Sequence, residues 1–241
     1  MPPSFIKIVS AVCIIIAFGS CKSATIYNDP SPKIIGAMKN VMRKGELFPT
    51  INIDTITHKE HLYGLGPVAY LKGEIMIIDG RSYRAQVTND TSMQVSETFH
   101  LQAPFFGYAH IVHWVQHPIP DSIQTMIQLE SYLDSVTKHF PRPFFFKILA
   151  KVDSSTIHIV DLPDGTKVSS PEDARIGQKH YHVSNCNVEL LGFFSTEHQT
   201  IFTHHDTYLH IHLITADRKV MGHLEAMHIS KGTATLLLPK Y

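Results

Sequence analysis

The sequence predicts an α+β fold that is rich in strands, with two sheet-centred halves, mixed or antiparallel β-sheets and few helices. Three observations lead to this prediction. Most of the chain consists of short runs in which apolar and polar residues alternate, the pattern of half-buried strands. Turn residues separate these runs, and the Asp79-Gly80 pair is a strong hairpin signal. Only two segments carry apolar residues at helical spacing.

The first predicted helix begins with Ser31 as its N-cap and Pro32 at its first position, and it ends near Gly45. The apolar stripe that this helix would bury consists of Ile34, Ile35, Met38, Val41 and Met42.

The second predicted helix spans residues 121–139. Asp121 and Gln124 have the spacing of a capping box at its start, and Pro141 stops it. Its apolar stripe consists of Ile123, Met126, Ile127, Leu133 and Val136.

Nearly all other segments are predicted to be short strands. We place a boundary near residue 141, between an N-terminal α/β half at 33–140 and a C-terminal, β-rich and metal-binding half at 141–241. The predicted strands lie in "PTINIDTIT", "GPVAYLKGEIMIIDGRSYRAQV", "APFFGYAHIVHW", "PFFFKILAKV", "STIHIVDL", "HYHVSNCNVELLGFF" and "TYLHIHLI".

The composition favours one or two compact domains with a sizeable core. Of the 241 residues, 44% are hydrophobic and 17% are charged, which argues against a disordered chain. The 21 Lys and Arg residues balance the 21 Asp and Glu residues, so the net charge is zero. A chain without excess positive charge has little capacity to neutralise the phosphates of a nucleic acid, so nucleic acid is not expected as a partner.

The N-terminus has the proportions of an export signal. The stretch "MPPSFIKIVSAVCIIIAFGSCKS" has one lysine and then an apolar run that is too short to span a membrane. The small residues before Cys21 resemble a bacterial lipoprotein signal, in which the cysteine is lipidated. We expect a signal peptide at 1–20, a tether at 21–32, and an exported lipoprotein that a lipid on Cys21 anchors to a membrane of the cell envelope, facing the periplasm. An ordinary signal peptide cleaved nearby is the alternative.

The cysteine count agrees with export. Cys13 leaves with the signal peptide and Cys21 carries the lipid, which leaves Cys186. One thiol cannot form an internal disulfide, so the core must stabilise the fold. We expect Cys186 to be a small buried hydrophobic residue rather than a nucleophile.

Three histidines of the C-terminal half are predicted to bind a metal ion. His210 and His212 are two residues apart in "YLHIHLITADRKVMGHLE", so they point to the same face of a strand. If "ADRK" closes a hairpin with Thr215 opposite Val220, His212 lies opposite His223. Cross-strand neighbours are about 4.5–5.5 Å apart at Cβ, which lets three imidazoles converge on one ion. Three histidines with an open fourth position are the usual plan of a catalytic zinc site.

The same register places Glu225 opposite His210, on the face of the metal. We expect Glu225 to act there as an acid, or to accept a hydrogen bond from the His210 N–H and so orient the ring. A one-residue bulge that turns Glu225 out to solvent is the alternative.

The chain has 17 histidines, so a His-x-His pair also arises by chance. We interpret His180 and His182 as such a chance pair, and His204 and His205 as loop residues.

The histidine segment resembles the metal-binding segment of α-acetolactate decarboxylases, whose pattern is roughly G-x-H-L-H-F-I-x-x-D-x-x-x-G-G-H. The resemblance runs through most of the chain after the signal peptide. It implies zinc held by His210, His212 and His223, and it implies that Glu74 is an active-site glutamate. The other stretches that resemble the family are "LYGLGPVAYLKGEIMIIDGRSY", "QAPFFGYAHI" and "VELLGFFS".

The residues around Glu74 support this role independently. Glu74 precedes the apolar run "IMII", where a charge is costly to bury unless it meets a cation or hydrogen-bond donors. A surface turn residue is the alternative.

The chain departs from the family pattern where the substrate would bind. The resemblance implies an arginine after the central helix that holds the substrate carboxylate, but "TIHIVDLPDGTK" contains none. Lys167 lies near that position and could partly substitute, although it lacks the bidentate fork of an arginine. Arg175 is a more remote candidate. The family also has a C-terminal tail that delivers another glutamate, and this sequence ends at Tyr241 without it.

The expected function is that of a carbon–carbon lyase. A zinc-dependent decarboxylase of this type converts 2-acetolactate, or a related branched 2-hydroxy-3-oxo acid, to an acetoin-like product and CO2. The candidate catalytic residues are Glu74, Glu225 and Lys167. The alternative is a non-catalytic or repurposed metal-binding lipoprotein of the cell envelope with the same fold. The missing arginine and tail favour the alternative, whereas the retained histidines and Glu74 favour the enzyme.

We predict that Cys21→Ser moves the protein from the membrane fraction to the soluble fraction, because two or three acyl chains on this cysteine are what gives stable anchoring. Fractionation and gel mobility measure both location and loss of the lipid. Retention in the membrane fraction with unchanged size would contradict the lipoprotein prediction.

Overall fold

The computed structural model describes residues 26–241. The predicted signal peptide and Cys21 lie outside the described residues. Within residues 26–241, no helix is both long and apolar enough to cross a membrane.

The prediction of a strand-rich α+β fold is confirmed. The described strands form two six-stranded sheets and one two-stranded sheet, and neighbouring strands pair in the antiparallel sense. The strands are β1 (Asp29–Gly36), β2 (Ile51–Asn52), β3 (Leu62–Pro67), β4 (Glu74–Ile78), β5 (Arg81–Asn89), β6 (Ser92–Glu97), β7 (Gln102–Ala103), β8 (Phe105–His110), β9 (Trp114–Pro118), β10 (Phe144–Ile159), β11 (Lys179–Phe194), β12 (Leu209–Thr215), β13 (Met221–Ile229) and β14 (Thr235–Pro239). The helices are α1 (Met38–Lys44), α2 (Met126–Val136) and α3 (Pro171–Ala174), with short 3-10 turns at Ile53–Thr55 and Ala69–Leu71.

The first sheet has the strand order β1-β8-β3-β4-β5-β6. Its β4–β5 hairpin confirms the predicted turn, because Ile78 pairs with Arg81 and the two residues between them have positive φ, 46° at Asp79 and 76° at Gly80. Two positive φ angles are the signature of a type I′ turn, which matches the twist of the flanking strands.

Strand β4 is buried on both faces, which explains its continuous apolar run. Met76 and Ile78 pack in the main core between the two large sheets, whereas Ile75 and Ile77 pack in a smaller core on the other side. Since side chains alternate along a strand, Glu74 shares the face of Met76. The carboxylate therefore points towards the second sheet.

The second sheet has the strand order β11-β12-β13-β10-β14-β9, and β10 also pairs with β11 along its whole length. Strands β10, β11, β12 and β13 therefore each pair with two others of the four. Strand β9 joins this sheet from the N-terminal side of α2, so the sheet draws on residues from both sides of the division predicted near residue 141. Five fully buried phenylalanines of β10 and β11 belong to the main core: Phe144, Phe145, Phe146, Phe193 and Phe194.

The first predicted helix is wrong at its start. Residues from Asp29 to Gly36, which include the end of the predicted tether, form β1 and pair with β8. A bulge between Asp29 and Lys33 accommodates Pro32 on this edge strand, where a missing N–H is tolerated. The helix itself begins at Met38, after a sharp turn at Gly36 with a φ of 71°.

The second predicted helix begins four residues too early. The N-cap is Thr125, which forms a capping box with Gln128, and not Asp121. The Asp121 carboxylate instead accepts a hydrogen bond from Gly232 N at 2.7 Å, and Gln124 Nε2 donates to Ile229 O at 2.9 Å. Both side chains thus hold a distant loop.

The apolar stripe of α2 is also rotated from the predicted one. Leu129 and Leu133 are its buried residues, whereas Ile127 is 82% exposed and Val136 is 47% exposed. Ile127 faces a cavity that is described below.

We predict that Thr125→Ala lowers the free energy of unfolding by about 1 kcal/mol, because the first turn of α2 loses the oxygen that caps it. Thr125→Ser keeps this oxygen and should stay within about 0.5 kcal/mol of the unchanged protein. Urea denaturation measures both values. Equal destabilisation by the two variants would show that the cap is not the cause.

Candidate metal centre

The hairpin of β12 and β13 has the predicted register. Thr215 N donates to Val220 O at 2.9 Å, and His212 is the direct cross-strand partner of His223. One ring nitrogen from each of His210, His212 and His223 lies within 4.8 Å of the other two. The structure therefore brings together the three histidines that the sequence singles out.

Each histidine of this triad keeps one ring nitrogen available to a metal ion. His210 Nδ1 donates to Phe202 O at 2.7 Å, which leaves Nε2 with its lone pair. Both nitrogens of His212 are buried without a hydrogen-bond partner among the described residues. Buried polar atoms of this kind are costly unless a ligand satisfies them. Three histidines fit zinc, which takes imidazole nitrogen at about 2.0–2.1 Å and keeps a fourth position open in catalytic sites.

Burial keeps the three imidazoles in the form that binds metal. It lowers the pKa of His212 to about 3, and it lowers the pKa values of His210 and His223 well below the ordinary value. Neutral imidazole has the lone pair that a metal ion requires, so the site holds its ligands ready over the physiological pH range.

Glu74 lies beside the triad and is not a surface turn residue. It is 3% exposed, and its Oε2 lies 3.5 Å from His212 Nε2. Val160 N donates to its Oε1 at 3.3 Å. Burial raises the pKa of Glu74 well above its ordinary value. Gly73 has a φ of 135°, and a side chain there would meet Ala85 O at 2.4 Å, so the chain reaches this position only through glycine.

The triad opens into a cavity of about 770 Å³ at the interface of the two large sheets and the helices. Among its lining residues are Glu74, His210 and His223. The sequence analysis named these three, together with Glu225 and Arg175, which also line the cavity. The structure adds further polar groups at the same cavity, namely Glu130, His158, Gln178, His180, His204, Asp206 and Thr207.

Glu225 does not accept a hydrogen bond from His210, because Phe202 O already accepts from His210 Nδ1. Its position reflects a bulge in β13, where Thr156 pairs with Ala226 and Ile157 pairs with Leu224. The Glu225 side chain nevertheless reaches the cavity wall, where its exposed fraction is 34%. The predicted partner is therefore wrong, although Glu225 does line the cavity.

The partner of Glu225 is His158, whose Nδ1 donates to Glu225 Oε1 at 2.9 Å. His180 Nε2 lies 3.2 Å from the same oxygen. The hydrogen bond from His158 is the main cause that lowers the pKa of Glu225. The His158 ring stacks on His223 with a centroid distance of 4.6 Å and an interplanar angle of 27°. Glu225 thus holds a ring that packs against a metal-ligand candidate.

Sequence reasoning missed His158 and underrated His180 and His204, all of which line the cavity. His158 pairs with His223 across β10 and β13, a contact between residues that are far apart in the chain. The alternation in "TIHIV" predicts a strand but not which strand lies beside it, so the contact of His158 with His223 could not be predicted from this segment.

Lys167 is exposed and does not line the cavity. Arg175, at the end of α3, is also exposed but does line it. Arg175 is the one lysine or arginine among the described residues of the cavity wall. The more remote of the two candidates is therefore the one that the structure places at the site.

Comparison with known proteins supplies the family. The model of the alpha-acetolactate decarboxylase family matches residues 37–238. The chain belongs to this family. The match spans both large sheets, the three histidines and Glu74. Membership and fold together indicate an acetolactate decarboxylase-like function, which is that of a lyase.

Solved structures show the same fold at low sequence identity. Alpha-acetolactate decarboxylase from Bacillus subtilis strain 168 is 17% identical, with a TM-score of 0.71 over 87% of this chain and 86% of that chain. A Staphylococcus aureus protein of unknown function, described as similar to alpha-acetolactate decarboxylase, is 15% identical, with a TM-score of 0.73 over 87% of this chain and 85% of that chain. No curated protein sequence matches the chain.

We predict that the purified protein contains about one metal ion per chain and that His212→Ala combined with His223→Ala abolishes this content, because two of three ligands are lost. Elemental analysis after dialysis measures it. His182→Ala combined with His228→Ala removes two exposed histidines and serves as the control, with unchanged metal content expected. Full stoichiometry in the first double variant would contradict the assignment.

Proposed function

We propose that this chain is a zinc-dependent decarboxylase that converts 2-acetolactate, or a related branched 2-hydroxy-3-oxo acid, to an acetoin-like product and CO2. The observation that carries the proposal is the convergence of three histidines, among them His212 with both ring nitrogens unpartnered, beside a buried glutamate in the wall of a cavity. We also propose that the protein is exported and held at a membrane of the cell envelope by a lipid on Cys21.

The reaction requires a group that accepts the electron pair left behind when CO2 departs. The bond between the carboxylate carbon and the hydroxyl-bearing carbon breaks, CO2 leaves, and the electron pair moves into the adjacent carbonyl group to give an enediolate. A proton is then added to the carbon that lost the carboxylate, and this carbon keeps its hydroxyl group. Zinc held by His210, His212 and His223 supplies a Lewis acid for the adjacent oxygens of the substrate.

Glu74 is the residue that we assign to the proton transfer. Its carboxyl group lies between the two large sheets, beside His212, where little water competes for the proton. The hydrogen bond from Val160 N to Oε1 holds the carboxyl group in place and leaves Oε2 directed at the triad. A positioned acid of this kind contributes about 10²–10⁴-fold to a rate.

Arg175 is the residue that we assign to the attraction of the substrate carboxylate. As a permanently charged side chain at the cavity wall, it favours the entry of an anion from solvent. Burial keeps the other basic groups near the triad neutral, since it lowers the pKa values of His158 and His204.

Release of acetoin and CO2 from racemic acetolactate tests the proposal. We expect turnover by the zinc-loaded protein, loss of turnover with a chelator, and recovery when zinc is restored. Glu74→Gln should lower kcat by at least about 100-fold without loss of bound zinc, because the amide has no proton to give. Glu60→Gln, at an exposed position away from the cavity, is the matched control and should leave kcat unchanged.

Two outcomes would contradict the proposal. Full activity of Glu74→Gln would remove Glu74 from the reaction. A zinc-loaded protein that turns over no 2-hydroxy-3-oxo acid would favour a non-catalytic metal-binding member of the family.

A further inference from the structure

The cavity has two chemically different walls. The strands supply the wall with the metal-ligand candidates, Glu74 and the pair of His158 and Glu225. The helices and the turns next to them supply the other wall, which is richer in apolar side chains. Six of their contributions to the lining are apolar, namely Met38 and Met42 from α1, Met126 and Ile127 from α2, Leu71 from the turn before β4, and Ala174 from α3. Glu130 of α2 and Arg175 at the end of α3 are the charged residues of this wall.

Three of the six apolar residues on this helical wall are methionines. Met38 is 6% exposed, and Met42 and Met126 are partly buried against the core. Methionine has an unbranched, flexible and polarisable side chain, and it is over-represented at surfaces that accept apolar ligands of varied shape. A wall of this composition adapts to a flexible apolar group better than to a fixed polar one.

Ile127 extends the same wall towards solvent. It is 82% exposed on a helix whose opposite side, with Leu129 and Leu133, is fully buried. An exposed position on an amphipathic helix is ordinarily polar, because an apolar side chain gains nothing there. Ile127 lines the cavity, so a ligand that leaves the cavity past α2 would cover it.

The cavity volume is larger than a short-chain acid requires. Its value of about 770 Å³ lies in the upper part of the range of about 300–1,000 Å³ that holds drug-sized ligands. An acid with only methyl substituents, held at the triad by its oxygens, would leave Ile127 and the partly buried Met42 and Met126 in contact with water.

We propose that the wall formed by Met38, Met42, Met126 and Ile127 is a subsite for a long aliphatic substituent, so that the chain takes 2-hydroxy-3-oxo acids with a longer chain on the hydroxyl-bearing carbon than the methyl group of acetolactate. This inference rests on the proposed function for the position of the acid group. The oxygens of the acid lie at the triad, and the substituent runs along α1 and α2 towards Ile127.

Binding of unreactive analogues tests the subsite separately from catalysis. In 2,3-dihydroxy acids the ketone is replaced by an alcohol, so no electron sink is present and CO2 is not lost. A series with substituents from methyl to hexyl on the second carbon is titrated into the zinc-loaded protein by calorimetry. We expect the Kd to fall about two- to fourfold for each added methylene, because each one leaves water for an apolar wall.

Ile127→Gln tests where the substituent runs. The exposed position on α2 tolerates glutamine, which is a good helix former, so the fold should be kept. We expect this variant to weaken binding of the hexyl analogue about five- to tenfold and to leave the methyl analogue unchanged. Val136→Gln makes the same kind of change at an exposed position of the same helix that does not line the cavity, and it should alter neither Kd.

The outcomes separate the subsite from the proposed function. A Kd that does not depend on chain length, an Ile127→Gln effect equal to that of Val136→Gln, or no binding by any analogue would overturn the subsite. Turnover of acetolactate with such a flat series would leave the decarboxylase proposal standing. A chain-length dependence without turnover of any keto acid would leave the subsite standing and remove the decarboxylase proposal.

Discussion

The antiparallel pairing of β12 with β13 is the constraint on which the candidate site depends. Because successive side chains of a strand point to opposite faces, a slip of one residue would turn His223 away from His210 and His212. The turn between the strands holds the register through Thr215, whose hydroxyl donates to Asp217 Oδ1 at 2.6 Å and accepts from Val220 N at 3.1 Å. A local polar turn therefore determines whether three imidazoles share a metal ion.

The site also depends on the packing of one sheet against the other. Glu74 comes from β4 of the first sheet, whereas the histidines come from the second, so neither sheet alone makes the centre. Burial between the sheets excludes water, which raises the pKa of Glu74 and lowers the pKa of His212 to about 3, so it favours the uncharged form of both groups. The cost of burial is offset only in part, by the hydrogen bonds to Phe202 O and from Val160 N. The lone-pair nitrogen of His212, which has no hydrogen-bond partner among the described residues, is the group that a cation would satisfy.

The strands and the helices contribute different kinds of side chain to the cavity wall. The strand residues sit in a closed hydrogen-bonded framework, which holds imidazole and carboxyl groups at short distances from one another. The helices contribute side chains such as Met42 and Ile127, which no hydrogen bond restrains. Positions on the helices can therefore change without moving the metal ligands.

The sequence by itself determined the features that depend on residues close together in the chain. The Asp79-Gly80 hairpin, the shared face of His210 and His212, and the pairing of His212 with His223 all follow from alternation and turn chemistry within a short segment. Only the tertiary structure decided that residues 29–36 form a strand beside β8. It also decided that β10 places the His158 ring against the His223 ring, and that a bulge in β13 lets Glu225 accept a hydrogen bond from His158. The physical reason is that turn type and side-chain direction depend on residues close together in the chain. The pairing of distant strands depends instead on the apolar side chains that they bury together, which no short segment specifies.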